Sequence, residues 1–374
     1  MLREKLKIPL KLILVLGFVY LFLVSIGLMG EAFKGFGKDF AESLISTTAN
    51  PFIGLFIGIL ATSIVQSSST TTSIVVGMVA SGVMTITNAI PIIMGANIGT
   101  TVTAMLVAIG HIGRKEEFKR AVAGTAVHDF FNLICVCLLF PLELAFGFLS
   151  KTAGFMAKIF SNVGGVKFTS PIKVATEPLI DLIKKIVEKI NVSDHAHYIL
   201  LLVISIVFLF TALYFIVKIM RSLVIQRAEI VLSNILGKHA VLTIIAGAIL
   251  TAIVQSSSIT TSLLVPLVAA GILTVEMAFP ITMGANIGTT VTAMLASFAT
   301  GNISAITVAF AHLLFNTIGV FVIYPIKRIR AIPIFLAKKL GWLASIKRRY
   351  VIFYVLIMFF ILPGLLIFIS RLLK

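Results

Sequence analysis

Seven long apolar stretches alternate with short polar segments along this chain. Each stretch is close to the ~20 residues that a helical membrane span needs, and none alternates residue by residue as the strands of a membrane barrel do. The pattern predicts an all-α polytopic membrane protein, with spans near residues 10–30, 88–109, 121–149, 198–220, 275–299, 303–325 and 350–369.

Two further apolar segments carry a polar tip in their middle. The first reads ATSIVQSSSTTTSIV at 61–75, and VQSSS returns at 254–258. A helix from Pro51 to Gln66 would rise about 24 Å, which is short of the ~30 Å hydrocarbon core. Broken helices at membrane depth are tolerated where they are buried in protein or line a cavity. We therefore expect each segment to be a re-entrant hairpin of two half-helices with QSSS at its tip.

The chain also repeats itself. Residues 62–106 and 251–295 align at a constant shift of 189 with 31 of 45 positions identical, and His128 and Asn132 later face His312 and Asn316. If the N-terminus is cytoplasmic, basic segments fall inside, as the positive-inside rule requires, and the two copies enter the membrane from opposite sides. Inverted-topology repeats of this kind are common in secondary transporters.

This topology divides the chain into five parts. The N-terminal stretch is interpreted as a span because no small-residue cleavage site follows its apolar part. The side of the C-terminus stays open, since 331–345 could be re-entrant or interfacial. The parts are an N-terminal span and connection (1–50), repeat 1 with a hairpin and two spans (51–149), a polar extracellular segment (150–197), repeat 2 with a span, a hairpin and two spans (198–325), and a basic cytoplasmic or interfacial segment with a C-terminal span (326–374).

Composition agrees with a membrane protein. The 374 residues are 59% hydrophobic and 12% charged, whereas soluble domains carry about 25% charged residues. The formal net charge of +17 could suggest nucleic acid, but the basic residues cluster between spans, for example at 113–120 and 326–330. We expect a lipid bilayer and no nucleic acid as partner, in a multi-pass protein of the plasma or inner cell membrane. Cys135 and Cys137 match no zinc or CxxC spacing, so no transition-metal site is predicted.

The polar tips have the chemistry of an anion site. A helix N-terminus presents free N–H groups and partial positive charge, and serine hydroxyls add donors. Residues 51–109 and 240–310 contain no Lys or Arg, so a buried anion would need cations to accompany it. Ser and Thr serving only as helix-packing residues is the alternative. The predicted phosphate-binding residues are Gln66, Ser67, Ser68, Ser69, Ser256, Ser257 and Ser258.

The repeated sequence GANIGTTVT, at 95–103 and 284–292, predicts sodium sites. Its Asn and Thr side chains offer neutral oxygens, and its paired glycines suggest unwound backbone whose carbonyls could join them. A glycine-rich helix interface is the alternative. The candidate ligands here are Asn97, Thr100, Thr103, Asn286, Thr289 and Thr292.

A third motif is HDFFN at 128–132. On a helix, Asp129 and Asn132 lie at i, i+3, and His128 shares their face. An acid inside a membrane is a functional hypothesis by default. Its counterpart in the second copy is Leu313, so we expect one extra sodium site in repeat 1 only, with a structural Asp–His contact as the alternative. The two histidines are interpreted as packing or orienting residues.

The two QSSS tips, the two GANIGTT segments and AGTAVHDFFN at 123–132 together resemble the type II sodium-dependent phosphate cotransporter family. The resemblance implies sodium-driven phosphate uptake, a substrate site between two hairpins and an elevator-like motion. Gln255, Ser256, Thr289 and Thr292 are similar to one family sodium site. Asp129 and Asn132 are similar to part of another, which is associated with charge movement, and the six serines resemble the phosphate-binding set.

Two departures from the family pattern stand out. Residues 150–197 contain no cysteine, so the disulfide of animal members is absent, and Thr125 stands where charge-moving members carry alanine. The sequence predicts an electrogenic sodium-coupled phosphate symporter with Na⁺ as coupling ion, and a homodimer is compatible with it. The alternatives are a sodium-coupled carrier of sulfate or a dicarboxylate, and a phosphate channel or sensor. No enzyme is expected, because the serines lack a basic partner.

Overall fold

The computed structural model describes residues 2–162, 171–235 and 240–372, and these residues form helices and their connections. In chain order the helices are α1 (Leu2–Gly35), α2 (Lys38–Thr47), α3 (Pro51–Val65), α4 (Ser68–Ser81), α5 (Ile86–Gly99), α6 (Thr101–Ile109), α7 (Lys115–Phe146), α8 (Phe148–Asn162), α9 (Pro171–Glu188), α10 (Asp194–Ile235), α11 (Ala240–Val254), α12 (Ser257–Ala269), α13 (Val275–Thr300), α14 (Ile303–Ile323), α15 (Lys327–Ile346), α16 (Arg349–Leu356) and α17 (Leu362–Leu372), with a π-helical turn, Ile357–Ile361, between the last two.

Six helical segments of the described residues are long and apolar enough to cross a membrane, which confirms the all-α polytopic prediction. A bent pair, α2 with α3 at 95°, could add a seventh. The predicted span at 275–299 is the 26-residue helix α13, which is not among the six. The six are Ile8–Gly35, Ile86–Ile109, Lys115–Phe146, His195–Leu223, Ile303–Ile323 and Arg349–Leu372.

Each QSSS segment forms the predicted hairpin of two short helices. Thr62 Oγ1 donates to Thr71 Oγ1 at 3.0 Å, and in the second copy Thr251 Oγ1 donates to Thr260 Oγ1 at 2.8 Å. Residues nine apart on a continuous helix would be separated by about 13 Å along its axis. The chain therefore reverses between α3 and α4 and again between α11 and α12, with QSSS at each reversal.

Glycines bring the first helix of each hairpin against the following long helix. A Cβ atom at Gly95 would lie 2.0 Å from Leu55 O, and one at Gly284 would lie 2.0 Å from Ile244 O. The GANIGTT segments are helical: α13 runs through the second, and in the first Thr100 keeps helical backbone angles between α5 and α6. The prediction of an unwound backbone is therefore wrong. These glycines instead allow α3 to pack closely on α5, and α11 on α13.

The hairpins pack reciprocally across the two copies. Helix α4 contacts α13 and α14, while α12 contacts α6 and α7. These contacts correspond to one another under the sequence repeat, so each hairpin lies against helices of the other copy. The sides from which the two repeats enter a membrane stay a prediction, as do the domain boundaries.

The remaining helices surround this centre. Within 150–197, α8 packs on α14 and α9 packs on α1, where Tyr20 Oη donates to Ala175 O at 3.1 Å. The segment 331–345 belongs to α15, which packs along α7 with Gly341 close to Lys119 O. Helix α10, with 42 residues, extends well beyond the predicted 198–220.

Candidate functional site

Each hairpin turns at a glutamine with left-handed backbone. Gln66 has φ 56° and Gln255 has φ 59°, and they are the positive-φ residues other than glycine in the described chain. Each one follows the last residue of α3 or α11. This conformation is costly for a residue with a Cβ atom and is concentrated at functional sites. The same strain at both tips marks the turns as the centre of the candidate site.

The serine after each glutamine caps the next helix. Ser67 Oγ accepts from Thr70 N at 3.2 Å, and Ser256 Oγ accepts from Ile259 N at 3.3 Å. The N–H groups of the first two residues of each helix have no acceptor within an α-helix. Each tip therefore presents unpaired backbone donors beside serine hydroxyls. The residues that carry these N–H groups are Ser68, Ser69, Ser257 and Ser258.

The two tips meet inside the protein. Ser69 Oγ donates to Gln255 O at 3.2 Å, although the two residues are 186 positions apart. Thr292 Oγ1 donates to Gln255 Oε1 at 2.7 Å and lies 3.5 Å from Ser69 Oγ. On the other side, Thr103 Oγ1 lies 3.5 Å from Gln66 O. The structure thus joins the two predicted phosphate-binding tips and two predicted sodium ligands in one place.

The tip residues differ in exposure. Gln66 is exposed, whereas Ser67, Gln255 and Ser256 are half-buried. The four serines that open the helices are buried, and they are Ser68, Ser69, Ser257 and Ser258. A ligand could reach the tips from the side of Gln66, and would then contact groups that are shielded from solvent.

Two other predicted sodium ligands, Thr100 and Thr289, bond their own helices. Thr100 Oγ1 donates to Ala96 O at 2.9 Å, and Thr289 Oγ1 donates to Ala285 O at 2.9 Å. Each hydroxyl oxygen keeps lone pairs that could accept a cation. Of the predicted set of Gln255, Ser256, Thr289 and Thr292, a hydrogen bond joins only Gln255 and Thr292 among the described contacts.

A buried polar cluster, here called the His128 cluster, links the two repeats. It consists of His128, Asn132, Asn286, Thr101 and the carbonyl of Asn97. Asn286 Nδ2 donates to Asn132 Oδ1 at 2.6 Å, and Asn132 Nδ2 donates to Asn97 O at 3.0 Å. His128 Nε2 lies 2.6 Å from Asn286 Oδ1, and its Nδ1 lies 2.9 Å from Thr101 Oγ1.

These contacts assign a role to His128. With an amide oxygen as its partner, Nε2 carries the proton and donates, so Nδ1 accepts from the Thr101 hydroxyl. The histidine therefore orients Asn286, one of the predicted sodium ligands, as the sequence interpretation allowed. The sequence did not predict a role for Thr101, because it is one of three threonines at 100, 101 and 103 and nothing in the sequence distinguishes it from the other two.

Asp129 contacts a residue outside the His128 cluster. Tyr354 Oη donates to Asp129 Oδ2, and Oδ1 has no partner among the described residues. In the described residues Asp129 forms no hydrogen bond with His128 or Asn132. Asp129 and Asn132 keep their i, i+3 spacing on α7, so their shared role in a sodium site stays a prediction, whereas no hydrogen bond in the described residues supports the alternative of a structural Asp–His contact. Tyr354 was missed because it is 225 residues away in sequence.

The second histidine is arranged differently. Both ring nitrogens of His312 are buried without a hydrogen-bond partner among the described residues. Asn316 Nδ2 donates to His312 O at 3.1 Å, and Asn316 Oδ1 has no partner in the described chain. The two copies thus share the residues but not the contacts, since in the described residues the polar cluster forms around His128 and not around His312.

Comparison with known proteins agrees with this architecture. A family model described as Na⁺/Pi-cotransporter matches residues 21–168 and 207–337. Sodium-dependent phosphate transport protein 2B of Pongo abelii is 35% identical over 443 aligned positions, which cover 94% of this chain and 64% of the relative. Protein 2A of Rattus norvegicus is 35% identical over 432 positions, covering 96% of this chain and 68% of the relative.

The chain spans less than two thirds of the length of the Pongo abelii relative and of its Homo sapiens counterpart, which is 34% identical. No solved structure matches. The family match covers well over half of the 374 residues and includes both hairpins and the His128 cluster. The chain belongs to the Na⁺/Pi-cotransporter family.

Proposed function

We propose that this protein is a sodium-coupled symporter of inorganic phosphate. The observation that carries the proposal is the contact of the two hairpin tips, Ser69 Oγ to Gln255 O at 3.2 Å. It places two helix N-termini side by side in a chain whose relatives are named sodium-dependent phosphate transport proteins. Two convergent N-termini form an anion site, and the family is one of cotransporters rather than enzymes.

Phosphate binds between the tips. The backbone N–H groups at the start of α4 and α12 bind phosphate oxygens, and the serine hydroxyls add further donors. The amide oxygen of Gln66 accepts from a protonated phosphate oxygen, since an amide both donates and accepts. The binding residues are Gln66, Ser67, Ser68, Ser69, Ser256, Ser257 and Ser258.

Sodium supplies the positive charge that the site lacks. No Lys or Arg occurs in 51–109 or 240–310, and an unpaired buried anion is prohibitively costly. One sodium binds near Gln255 Oε1 and Thr292 Oγ1, with Ser256 next to Gln255 in the chain and Thr289 three residues before Thr292. Another binds at Asp129, with Asn132 on the same helix. The neutral oxygens of Asn97, Thr100, Thr103 and Asn286 complete the candidate set of ligands.

Binding of sodium and phosphate is mutually dependent, because each ion neutralises the other. The loaded hairpins then move across the membrane against the outer helices in an elevator-like step. If three sodium ions accompany one divalent phosphate, one net charge moves, and the membrane potential contributes about 2.3 kcal/mol per 100 mV. The protein lies in the cell membrane with its N-terminus in the cytoplasm, as the positive-inside rule favours.

Two other functions use the same hairpin chemistry. A sodium-coupled carrier of sulfate or a dicarboxylate would bind its anion at the same N-termini. A channel would conduct phosphate without a sodium gradient, and a sensor would bind it without flux. The relatives are named sodium-dependent phosphate transport proteins, which favours phosphate with sodium over these alternatives.

The test is uptake of radiolabelled phosphate into proteoliposomes under an inward sodium gradient or an equal potassium gradient. Unlabelled sulfate and succinate serve as competitors. Sodium-dependent uptake that ignores both competitors is expected. Ser69→Ala should reduce it by about tenfold, because a hydrogen bond to a charged group contributes about 1.5–3 kcal/mol. The control, Ser345→Ala, removes an exposed hydroxyl that bonds Trp342 O. Equal uptake in potassium would contradict the proposal.

A further inference from the structure

The contact between Tyr354 and Asp129 joins the C-terminal helix to a buried acid. Tyr354 lies on α16, three residues before the π-helical turn Ile357–Ile361, and its hydroxyl donates to Asp129 Oδ2. It lies outside the residues that the family model matches, which end at 337. The repeats therefore receive a polar contact from a helix that belongs to neither of them.

The carboxylate that Tyr354 contacts is incompletely satisfied. Asp129 is 0% exposed, its Oδ1 has no hydrogen-bond partner, and no Lys, Arg or His forms an ion pair with it in the described residues. One charge-assisted hydrogen bond compensates only part of the cost of burying a carboxylate. The other buried acid of α7, Glu143, differs: its Oε2 accepts from Leu149 N and Ser150 N.

The ring of Tyr354 is fixed by its neighbours. It packs against Phe130, with ring centroids 6.2 Å apart, and against Phe359, with centroids 6.1 Å apart at 82°. Phe359 is fully buried and belongs to the π-helical turn. Such turns occur frequently at functional sites. A ring held on both sides directs its hydroxyl to one place, which is Oδ2 of Asp129.

We propose that Tyr354 is a positioning residue for a cation bound at Asp129. By holding Oδ2, it fixes the carboxylate plane and leaves Oδ1 free as the ligand atom. The cation is monovalent and binds oxygen ligands rather than nitrogen or sulfur. In this chain it is the coupling sodium. This inference rests on the proposed function, and it adds the C-terminal helix to the machinery of sodium binding.

The first test is Tyr354→Phe, which keeps the ring and removes the hydroxyl. Phosphate uptake into proteoliposomes is measured against external sodium concentration, and then against phosphate at saturating sodium. The sodium concentration for half-maximal uptake should rise about tenfold, the effect of losing one hydrogen bond to a charged group. The phosphate concentration for half-maximal uptake at saturating sodium should stay within about twofold of the wild-type value. The control is Tyr20→Phe, which removes a hydroxyl bond to Ala175 O.

A double-mutant cycle separates positioning from general packing. Sodium-dependent thermal stabilisation is measured in detergent for wild type, Tyr354→Phe, Asp129→Asn and the double variant. If Tyr354 acts through Asp129, its substitution lowers the sodium response of wild type and changes nothing further in the Asp129→Asn background. Equal effects in both backgrounds would overturn the inference, as would an unchanged sodium dependence in Tyr354→Phe.

The outcomes also separate this inference from the proposed function. Wild-type uptake that is equal in sodium and potassium would contradict the symporter. Sodium-dependent uptake that needs Asp129 but ignores Tyr354→Phe would leave the symporter in place and contradict the role of Tyr354.

Discussion

His128 and Asn286 connect the two repeats through the interior of the protein, with Nε2 of the histidine 2.6 Å from Oδ1 of the amide. The equivalent histidine, His312, has no hydrogen-bond partner at either ring nitrogen in the described chain. Both side chains are 1% exposed. The same residue type in equivalent positions is therefore bonded in one copy and unpaired in the other.

This difference predicts unequal costs for the same substitution. His128→Leu should lower the free energy of unfolding by about 2–4 kcal/mol, because the Thr101 hydroxyl and the Oδ1 atom of Asn286 each lose their bond to the histidine. His312→Leu should change it by less than about 1 kcal/mol, because it removes two unpaired polar atoms. Thermal melting of the two variants in the same detergent checks the pair. Equal losses would contradict the view that His128 is bonded and His312 is unpaired.

The two buried acids of α7 form a second matched pair. Asp129→Asn should raise the melting temperature in sodium-free buffer, because it removes a buried charge that one hydroxyl partly compensates. Glu143→Gln should lower the free energy of unfolding by about 1 kcal/mol, because the charge strengthens two hydrogen bonds at the start of α8.

Sodium is the diagnostic ligand in this comparison. Sodium should raise the melting temperature of wild type and of Glu143→Gln, and should have a smaller effect on Asp129→Asn, since a ligand stabilises the state that binds it. A lower melting temperature for Asp129→Asn without sodium would contradict the view that its charge is poorly compensated.

The pattern of apolar stretches predicted most of the spans, and the polar QSSS tips inside two short apolar segments predicted the hairpins. The constant shift of 189 identified the equivalent residues of the two copies. A helix from Pro51 to Gln66 is too short to cross the hydrocarbon core, so the chain was expected to reverse at Gln66. Long-range contacts were not predictable in this way. Nothing in the sequence links Tyr354 to Asp129. The helical pattern of α7 also does not tell that His128 contacts Asn286 while its neighbour Asp129 contacts Tyr354.

The role of the GANIGTT glycines was predicted wrongly for a related reason. A glycine pair has two physical uses, a backbone freed from helical geometry or a surface on which another helix can lie closely. The sequence of one helix does not contain the helix that packs on it. The structure shows the second use, since Leu55 O and Ile244 O occupy the places where side chains would be.

Close packing at these glycines predicts strong intolerance to a methyl group. Gly284→Ala should lower the free energy of unfolding by about 3 kcal/mol, because the new Cβ would lie 2.0 Å from Ile244 O, a backbone atom that cannot rotate away. The control is Gly17→Ala in α1, where nothing lies within 4 Å of the added atom. Its effect should be neutral or stabilising by up to about 1 kcal/mol. Thermal melting measures both, and a tolerated Gly284→Ala would show that α11 can move away from α13.

The left-handed backbone at Gln66 gives a prediction in which two variants differ in stability but lose the same function. Gln66 has φ 56°, a conformation that glycine adopts without strain. Gln66→Gly should therefore be more stable than Gln66→Ala by about 1 kcal/mol, since alanine keeps the Cβ atom that causes the strain. Both variants lose the amide, so both should show reduced phosphate uptake. Melting temperature and sodium-driven uptake are measured on the same preparations. If Gln66→Gly transported phosphate as well as wild type, the Gln66 amide would have no part in phosphate binding.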